Sequence, residues 1–421
     1  MPSPYRAIFA APGTASFSVA GLLGRMPLSM MGIGIVTMIS QVTGRYGLAG
    51  ALSATLAMSA AVLGPLVSRL VDRYGQRRVL RPVTLVSLVA AAGLLLCVQQ
   101  RTPDWTLFVF TAVIGCVPSI GAMTRARWAE IYRGDGRRLH TAYSWESIVD
   151  EVCFIFGPII SIGLSTTWFP EAGPLFAGAF LTIGVFWLTS QRATEPVPHP
   201  AQEGDQGGSA LRSPGLQVLA LAFVATGAIF GSVDVVTVAF AEERGQKAAA
   251  SLVLAVYALG SCLAGAVFGL LHLKSEPSRR WLLGVCAMAV SMIPLLLAGS
   301  LPFLAVALFV AGLSIAPTMV TTMALVEAHV PRTKLTEGMT WTGTGLAVGV
   351  ALGSSAAGWV VDASGAEAAY VVPVVSGALA VVVGLLGHHR LRKPVPDREG
   401  TRERDDSSGA GEHQDDGRTM A

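Results

Sequence analysis

The sequence predicts an all-α integral membrane protein with twelve transmembrane helices in two halves of six. Of its 421 residues, 52% are hydrophobic and 14% are charged, and the mean hydropathy is +0.57. A soluble domain carries about 25% charged residues. The apolar residues form repeated runs of the roughly 20 residues that a helix needs to cross about 30 Å of hydrocarbon. Basic residues concentrate in alternate loops between these runs.

Twelve spans follow from the length of the apolar runs. In the first half the predicted spans are 16–40, 47–70, 80–98, 105–129, 141–165 and 173–190. In the second half they are 214–239, 248–271, 281–299, 302–326, 336–361 and 369–386.

The loop charges predict the orientation. One side of the predicted membrane carries most of the Arg and Lys residues, and the other carries only Arg45, Arg101, Arg244 and Lys247. Basic loops stay in the cytoplasm. The expectation is therefore a multi-pass protein of a bacterial-type inner membrane, with both termini cytoplasmic and an even number of spans.

Composition divides the chain into four parts. Residues 191–213 contain three Pro and three Gly residues, which predicts a cytoplasmic linker between the halves 1–190 and 214–390. Residues 391–421 are charged and poor in large apolar side chains, so they are expected to be a disordered cytoplasmic tail.

An internal repeat supports two related halves. At a shift of 196 residues, Trp145 falls on Trp341 and Gly157 on Gly353. The fifth and sixth spans are therefore similar in sequence to the eleventh and twelfth. This similarity predicts two halves related by pseudo-twofold symmetry.

The loop after the second span contains Asp72, Arg73, Gly75 and Arg77, and Arg78 adds a basic residue. This pattern resembles the signature loop of the major facilitator superfamily, from which Ser68 and Gln76 depart. The resemblance covers the chain up to the tail. It implies halves that rock around a central cavity to give alternating access. It also implies that Asp72 lies near the start of the eleventh helix, at about 336–338, and holds the cytoplasmic side closed.

Arg125 and Arg127 end the fourth span beside Trp128. One interpretation is interfacial snorkelling with an aromatic anchor. The resemblance implies another, in which the basic end of this helix joins a charge network with the signature loop.

Charged residues lie deep inside two predicted spans. Arg25 is in the first, and Glu146, Asp150 and Glu151 are in the fifth. At about 1.5 Å per residue, Arg25 and Asp150 both lie some 12–15 Å from the inner surface. We hypothesise that they form a pair with Glu146 or Glu151 close by. The pair is either a proton- or substrate-linked switch or a static ion pair that fixes helix packing.

The repeat places this charge in one half only. At the shift of 196, Glu146, Asp150 and Glu151 correspond to Thr342, Leu346 and Ala347. Ion coupling is therefore expected in the amino-terminal half.

Substrate-cavity candidates are few. Asp234 lies in the outer part of the seventh span, where it either attracts a cationic substrate or pairs with a loop residue such as Lys247. Met30, Met319 and Trp341 offer adaptable or aromatic surfaces. Ordinary helix packing is the alternative for these three.

Several function classes are excluded. The chain has no Walker loop, no His-Glu-x-x-His and no nucleophile elbow, so an enzyme is not expected. The five cysteines lie in apolar runs without metal-ligand spacing, and the net charge of +3 is too small to indicate nucleic-acid binding. No cofactor is expected beyond the proton gradient.

The expected function is secondary active transport, with proton-coupled efflux of small organic or lipophilic compounds. Exporters of the superfamily carry a glycine series ending in Gly-Pro on the fifth helix, and Gly157-Pro158 resembles that ending. The expected partners are a small-molecule substrate, protons and the bilayer, for a monomer. The alternatives are a sugar or metabolite importer or facilitator and, from another class, a non-transporting membrane sensor.

Overall fold

The computed structural model describes residues 4–117, 119–198, 208–246, 249–271 and 276–392. Helices make up the regular structure of these ranges. The first half consists of α1 Pro4–Ile8, α2 Thr14–Thr43, α3 Tyr46–Tyr74, α4 Gln76–Gln99, α5 Asp104–Ile114, α6 Ile120–Ile131, α7 Gly136–Thr167 and α8 Ala172–Ser190. The second half consists of α9 Pro214–Glu243, α10 Ala249–Phe268, α11 Pro277–Met292, α12 Leu301–Gly312, α13 Ile315–His329, α14 Leu335–Ser364, α15 Ala366–Ala369 and α16 Val371–Leu391.

The membrane crossings agree with the predicted count of twelve. Among the described residues, ten helical stretches are long and apolar enough to span a membrane. Two shorter apolar helices, Asp104–Ile114 and Leu252–Phe268, complete the set. Residues 199–207 of the predicted linker and 393–421 of the predicted tail lie outside the described residues.

Two predicted spans are divided, which corrects the single helices expected there. The span 105–129 consists of α5 and α6, and the hydroxyl group of Ser119 accepts a hydrogen bond from the Ala122 amide as the cap of α6. The hydroxyl group of Ser59 donates to the Ala112 carbonyl near the end of α5. The span 302–326 likewise consists of α12 and α13, where the Ser314 hydroxyl donates to the Ala311 carbonyl at 2.7 Å. Side chains thus satisfy backbone groups around both breaks.

The turn between α3 and α4 depends on Gly75. Its φ is +92°, a conformation that only glycine adopts without strain. This turn defines what we call the loop side of the protein, where the described ends of the chain also lie. Hydrogen bonds between the halves are found there, including Ser68 Oγ to Thr340 Oγ1 at 2.8 Å and Thr141 Oγ1 to the Gly269 carbonyl at 3.0 Å.

On the opposite side of the protein, the ion pairs of the described residues each lie within one half and do not join the two halves. Arg45 pairs with Asp104 at 2.8 Å, and Arg244 pairs with Glu367 at 2.7 Å. The conformation is therefore one in which the two halves are fastened together on the loop side.

Candidate functional site

Arg25 is the centre of a buried charge cluster between α2, α6 and α7. The residue is 3% exposed. Its Nη1 lies 2.7 Å from Asp150 Oδ1, and its Nη2 contacts the Glu146 carboxylate and donates to Thr124 Oγ1 at 2.5 Å. The predicted contact between Arg25 and Asp150 is thus present, with Glu146 beside it. Its role in transport stays a prediction.

The two carboxylates of this cluster have different surroundings. The Glu146 side chain is 1% exposed and also accepts hydrogen bonds from Trp128 Nε1 and Thr124 Oγ1, both at 2.7 Å. The Asp150 side chain is 31% exposed. Glu146 is therefore a fixed acceptor, whereas Asp150 remains accessible.

Arg125 supplies a second cation to Asp150. Its Nη2 lies 2.5 Å from Asp150 Oδ2, and its side chain is 11% exposed. The interfacial snorkelling interpretation is wrong for Arg125, because its guanidinium group turns inward to the Asp150 carboxylate. Asp150 thus lies between Arg25 and Arg125.

Arg127 is also buried, so snorkelling is wrong for this residue too. Its guanidinium group donates to Gln76 Oε1 at 2.8 Å, to Thr194 Oγ1 at 2.7 Å and to the Leu188 and Gln191 carbonyls at 3.0 Å. A cation at these carbonyls suits the negative end of the α8 dipole. Arg127 therefore fastens the signature loop to the end of α8.

Glu195 extends this network to the signature loop. Its carboxylate accepts the Arg77 amide at 2.9 Å, at the start of α4. Burial raises the pKa of the Glu195 carboxyl, and the nearby Arg127 opposes that rise. Arg73 and Arg78 are exposed, and Arg77 is half-buried.

Asp72 contacts the start of the eleventh crossing, where the resemblance places it. Its carboxylate accepts the Thr336 amide at 3.2 Å and the Glu337 amide at 2.9 Å. These amides belong to the first turn of α14, whose dipole favours a negative charge. This contact joins the two halves on the loop side.

Sequence reasoning missed three further contacts between the halves. Arg69 Nη2 lies 2.9 Å from Glu337 Oε1, the Tyr143 hydroxyl donates to Glu327 Oε2 at 3.2 Å, and the Tyr5 hydroxyl donates to the Ala266 carbonyl at 2.9 Å. Arg69 lies just before the signature loop, and this position in the sequence is a clue that it contacts the other half. Nothing in the sequence marks Tyr5 as a contact to α10.

Glu151 does not join the Arg25 cluster. Its Oε1 accepts a hydrogen bond from Ser261 Oγ of α10, in the other half, at 2.6 Å. Asp234 is exposed on α9. Its alternative partner, Lys247, lies outside the described residues.

Three other cavity candidates have varied surroundings. Met30 has no exposed surface and lies in the apolar core of the first half, which corrects its assignment to a cavity wall. Met319 is half-buried and packs against the apolar cores of the structure. Trp341 donates from Nε1 to Glu337 Oε1 at 3.2 Å, so it belongs to the loop-side contacts. Within the described ranges, no group of three or more His, Cys, Asp or Glu side chains could hold a metal ion.

Among the described residues, twelve apolar helical stretches in two halves, one of which encloses a buried charge cluster, define a polytopic membrane protein. The model of the Major Facilitator Superfamily matches residues 17–247 and 219–412. The chain therefore belongs to that superfamily of transporters.

A tetracycline resistance protein is similar to this chain in sequence, and several transporters are similar to it in fold. The chain is 26% identical to the class C tetracycline resistance protein of Escherichia coli over 274 residues, which are 61% of this chain and 64% of that protein. The match thus spans less than two thirds of that relative.

Three solved structures share the fold. A bacterial homologue of the iron transporter ferroportin, in an outward-facing state, has a TM-score of 0.73 at 14% identity, over 90% of this chain and 99% of that one. The human organic anion transporter MFSD10 has a TM-score of 0.67 at 15% identity, over 90% and 100%. The E. coli fucose:proton symporter has a TM-score of 0.66 at 12% identity, over 88% and 99%.

Proposed function

We propose that this transporter is a proton-coupled exporter of small organic compounds, with Asp150 as the carboxylate that takes and releases the proton. The observation that supports this most is the position of Asp150 between two guanidinium groups, partly exposed while its neighbour Glu146 is buried. Nearby cations favour an ionised carboxylate, and their withdrawal favours the protonated form.

The helix that carries Asp150 also touches the other half. Thr141 and Tyr143, on the loop side of α7, contact α10 and α13. Rocking of the halves would therefore act on α7 and change the distance of Asp150 from Arg25 on α2 and Arg125 on α6. Protonation would follow from that separation. In this proposal the termini and the loop side face the cytoplasm of a bacterial-type cell.

Two observations favour export. A curated relative is a tetracycline resistance protein, and Gly157-Pro158 resembles the end of the exporter glycine series. Import remains the second candidate, because a sugar:proton symporter shares the fold. A static role for the cluster is the competing explanation of its geometry.

Proteoliposomes containing the full chain test the coupling. The internal pH is followed while a panel of cationic and neutral lipophilic compounds is added, for the wild type and for Asp150→Asn. The proposal expects substrate-evoked proton flux in the wild type, lost in Asp150→Asn, while solute counterflow continues. The matched control is Glu130→Gln, which neutralises a carboxylate of the loop-side pair with Arg133.

Two results would overturn the proposal. Full proton flux in Asp150→Asn would make the Arg25 cluster structural. Equilibration of a labelled solute by the wild type, without proton flux for any compound, would indicate a facilitator.

A further inference from the structure

A second group of polar and aromatic side chains lies where α7 of one half meets α9 and α10 of the other. We call it the α7/α9/α10 cluster. It consists of Glu151, Phe230, Asp234, Tyr257 and Ser261. None of these residues takes part in the Arg25 cluster or in the loop-side contacts.

A hydrogen bond and a ring contact link residues of this cluster across and within the two halves. Glu151 accepts the Ser261 hydroxyl at 2.6 Å. Ser261 and Tyr257 are four residues apart on α10, so they share a helix face. The rings of Tyr257 and Phe230 meet edge to face, with centroids 6.5 Å apart. Phe230 and Asp234 are in turn four residues apart on α9.

Asp234 and Tyr257 also lie at the same depth. Asp234 is nine residues before the end of α9 and Tyr257 is eight residues after the start of α10. At about 1.5 Å per residue, both are about 12–14 Å from the helix ends opposite the loop side. A ligand entering from that side would meet both groups together.

Within the described ranges, the cluster holds two carboxylates without an ion-pair partner and one hydroxyl without a hydrogen-bond partner. Among the described residues, no basic side chain forms an ion pair with Asp234 or Glu151. Tyr257 is 7% exposed, and its hydroxyl has no hydrogen-bond partner within the described part of the chain. Its ring contacts Phe230, which lies one helical turn from Asp234, and Ser261, one turn further along α10, holds Glu151. Buried polar groups are normally satisfied, so an unsatisfied hydroxyl among these residues indicates a ligand.

We propose that the α7/α9/α10 cluster binds an aromatic organic cation. Asp234 and Glu151 would provide the opposite charge that a cation needs when it leaves water. The Phe230 and Tyr257 rings would provide aromatic surface for cation–π and stacking contacts. This inference rests on the proposed transport function, since it names the substrate class, and it assigns Glu151 to substrate binding instead of proton coupling.

Binding of ethidium, a planar aromatic cation, tests the site. Fluorescence anisotropy measures its Kd with the purified full chain in detergent. We expect Asp234→Asn to weaken binding at least tenfold and Tyr257→Phe to weaken it severalfold. Glu367→Gln is the matched control, because it removes an exposed carboxylate of the same half and the same side, and its Kd should stay within twofold.

A measurement on the wild type alone covers the case in which a variant does not fold. The unmodified chain should bind ethidium at least tenfold more tightly than an uncharged aromatic dye of similar size. Equal affinity for the two dyes would overturn the proposal. An unchanged Kd in folded Asp234→Asn would overturn it as well.

Failure of the site can be distinguished from failure of the proposed function. Proton-coupled transport of a neutral compound, without ethidium binding, would refute the cation site and leave the coupled transporter. Ethidium binding that depends on Asp234, without proton flux for any compound, would support the site and refute proton coupling.

Discussion

The helices α7 and α14 occupy the same place in the two halves, but different forces hold them to their neighbours. α7 meets α2 and α6 through the ions Arg25, Glu146 and Asp150. α14 meets α9 through glycines, at which the two backbones approach closely. A Cβ atom at Gly349 would clash with the Val224 carbonyl, and one at Gly227 would clash with the Leu346 carbonyl.

The difference lies at matching positions of the repeat. Glu146 corresponds to Thr342, whose hydroxyl donates to the Met339 carbonyl of its own helix at 2.7 Å. Asp150 corresponds to Leu346. A contact made of charges can change when one proton binds, whereas a close backbone contact between small residues has no group to titrate. We therefore expect α9 and α14 to move as one rigid unit and the coupling step to occur at α7.

The largest expected effect comes from filling the close contact of α14. Gly349→Leu places a side chain against the α9 backbone and should destabilise the fold by more than about 4 kcal/mol, which is exceptional for one substitution. Thermal unfolding and monodispersity in detergent measure this. Gly343→Leu is the control on the same helix, because a Cβ there meets nothing within 4 Å. If Gly349→Leu unfolds at the wild-type temperature, the rigid-contact explanation of α14 is incorrect.

The next effect comes from removing one of the two cations at the α7 interface. Arg25→Met leaves the Glu146 and Asp150 carboxylates short of a partner and should cost about 3–5 kcal/mol. The double variant Arg25→Met/Glu146→Gln should recover part of that loss. Chemical denaturation in detergent provides the comparison.

The control for Arg25→Met is the exposed ion pair of Arg45, in which the side chains are 58% and 45% exposed. Arg45→Met should change stability by about 0–1 kcal/mol. Equal effects at Arg25 and Arg45 would show that the buried cluster contributes no more than a surface pair.

The smallest effect concerns the loop-side end of α14. Asp72→Asn removes the negative charge from the first turn of that helix and should cost the closed state about 1 kcal/mol, or severalfold in population. A cysteine placed at Thr340, which is buried between the halves, should then react faster with a thiol reagent. Asp104→Asn, at the start of α5 on the opposite side, should leave that rate unchanged. A slower rate in Asp72→Asn would mean that Asp72 favours the open state.

The contact between Arg25 and Asp150 was predictable because helical rise is constant. Residue numbers alone give the depth of each charge in its span, and two opposite charges at one depth in a medium that penalises isolated ions tend to pair. The break at Ser119 was harder to foresee, because the first half of the run 105–129 is largely apolar. Its signal is local: a serine followed by a helix that it can cap.

The number of crossings, the two halves and the one-sided distribution of buried charge could be read from the sequence. They follow from apolar length, charge and repetition, which do not depend on how the helices are rotated, whereas the contact of Asp72 was implied by the resemblance of its loop to the family signature. The folded structure was needed to show that Arg125 turns inward to Asp150, that Met30 lies in the core, and that Glu151 faces Ser261. The face that a helix presents to each neighbour depends on its rotation and on the packing of several helices at once, and apolar residues surround these helices too evenly to reveal it.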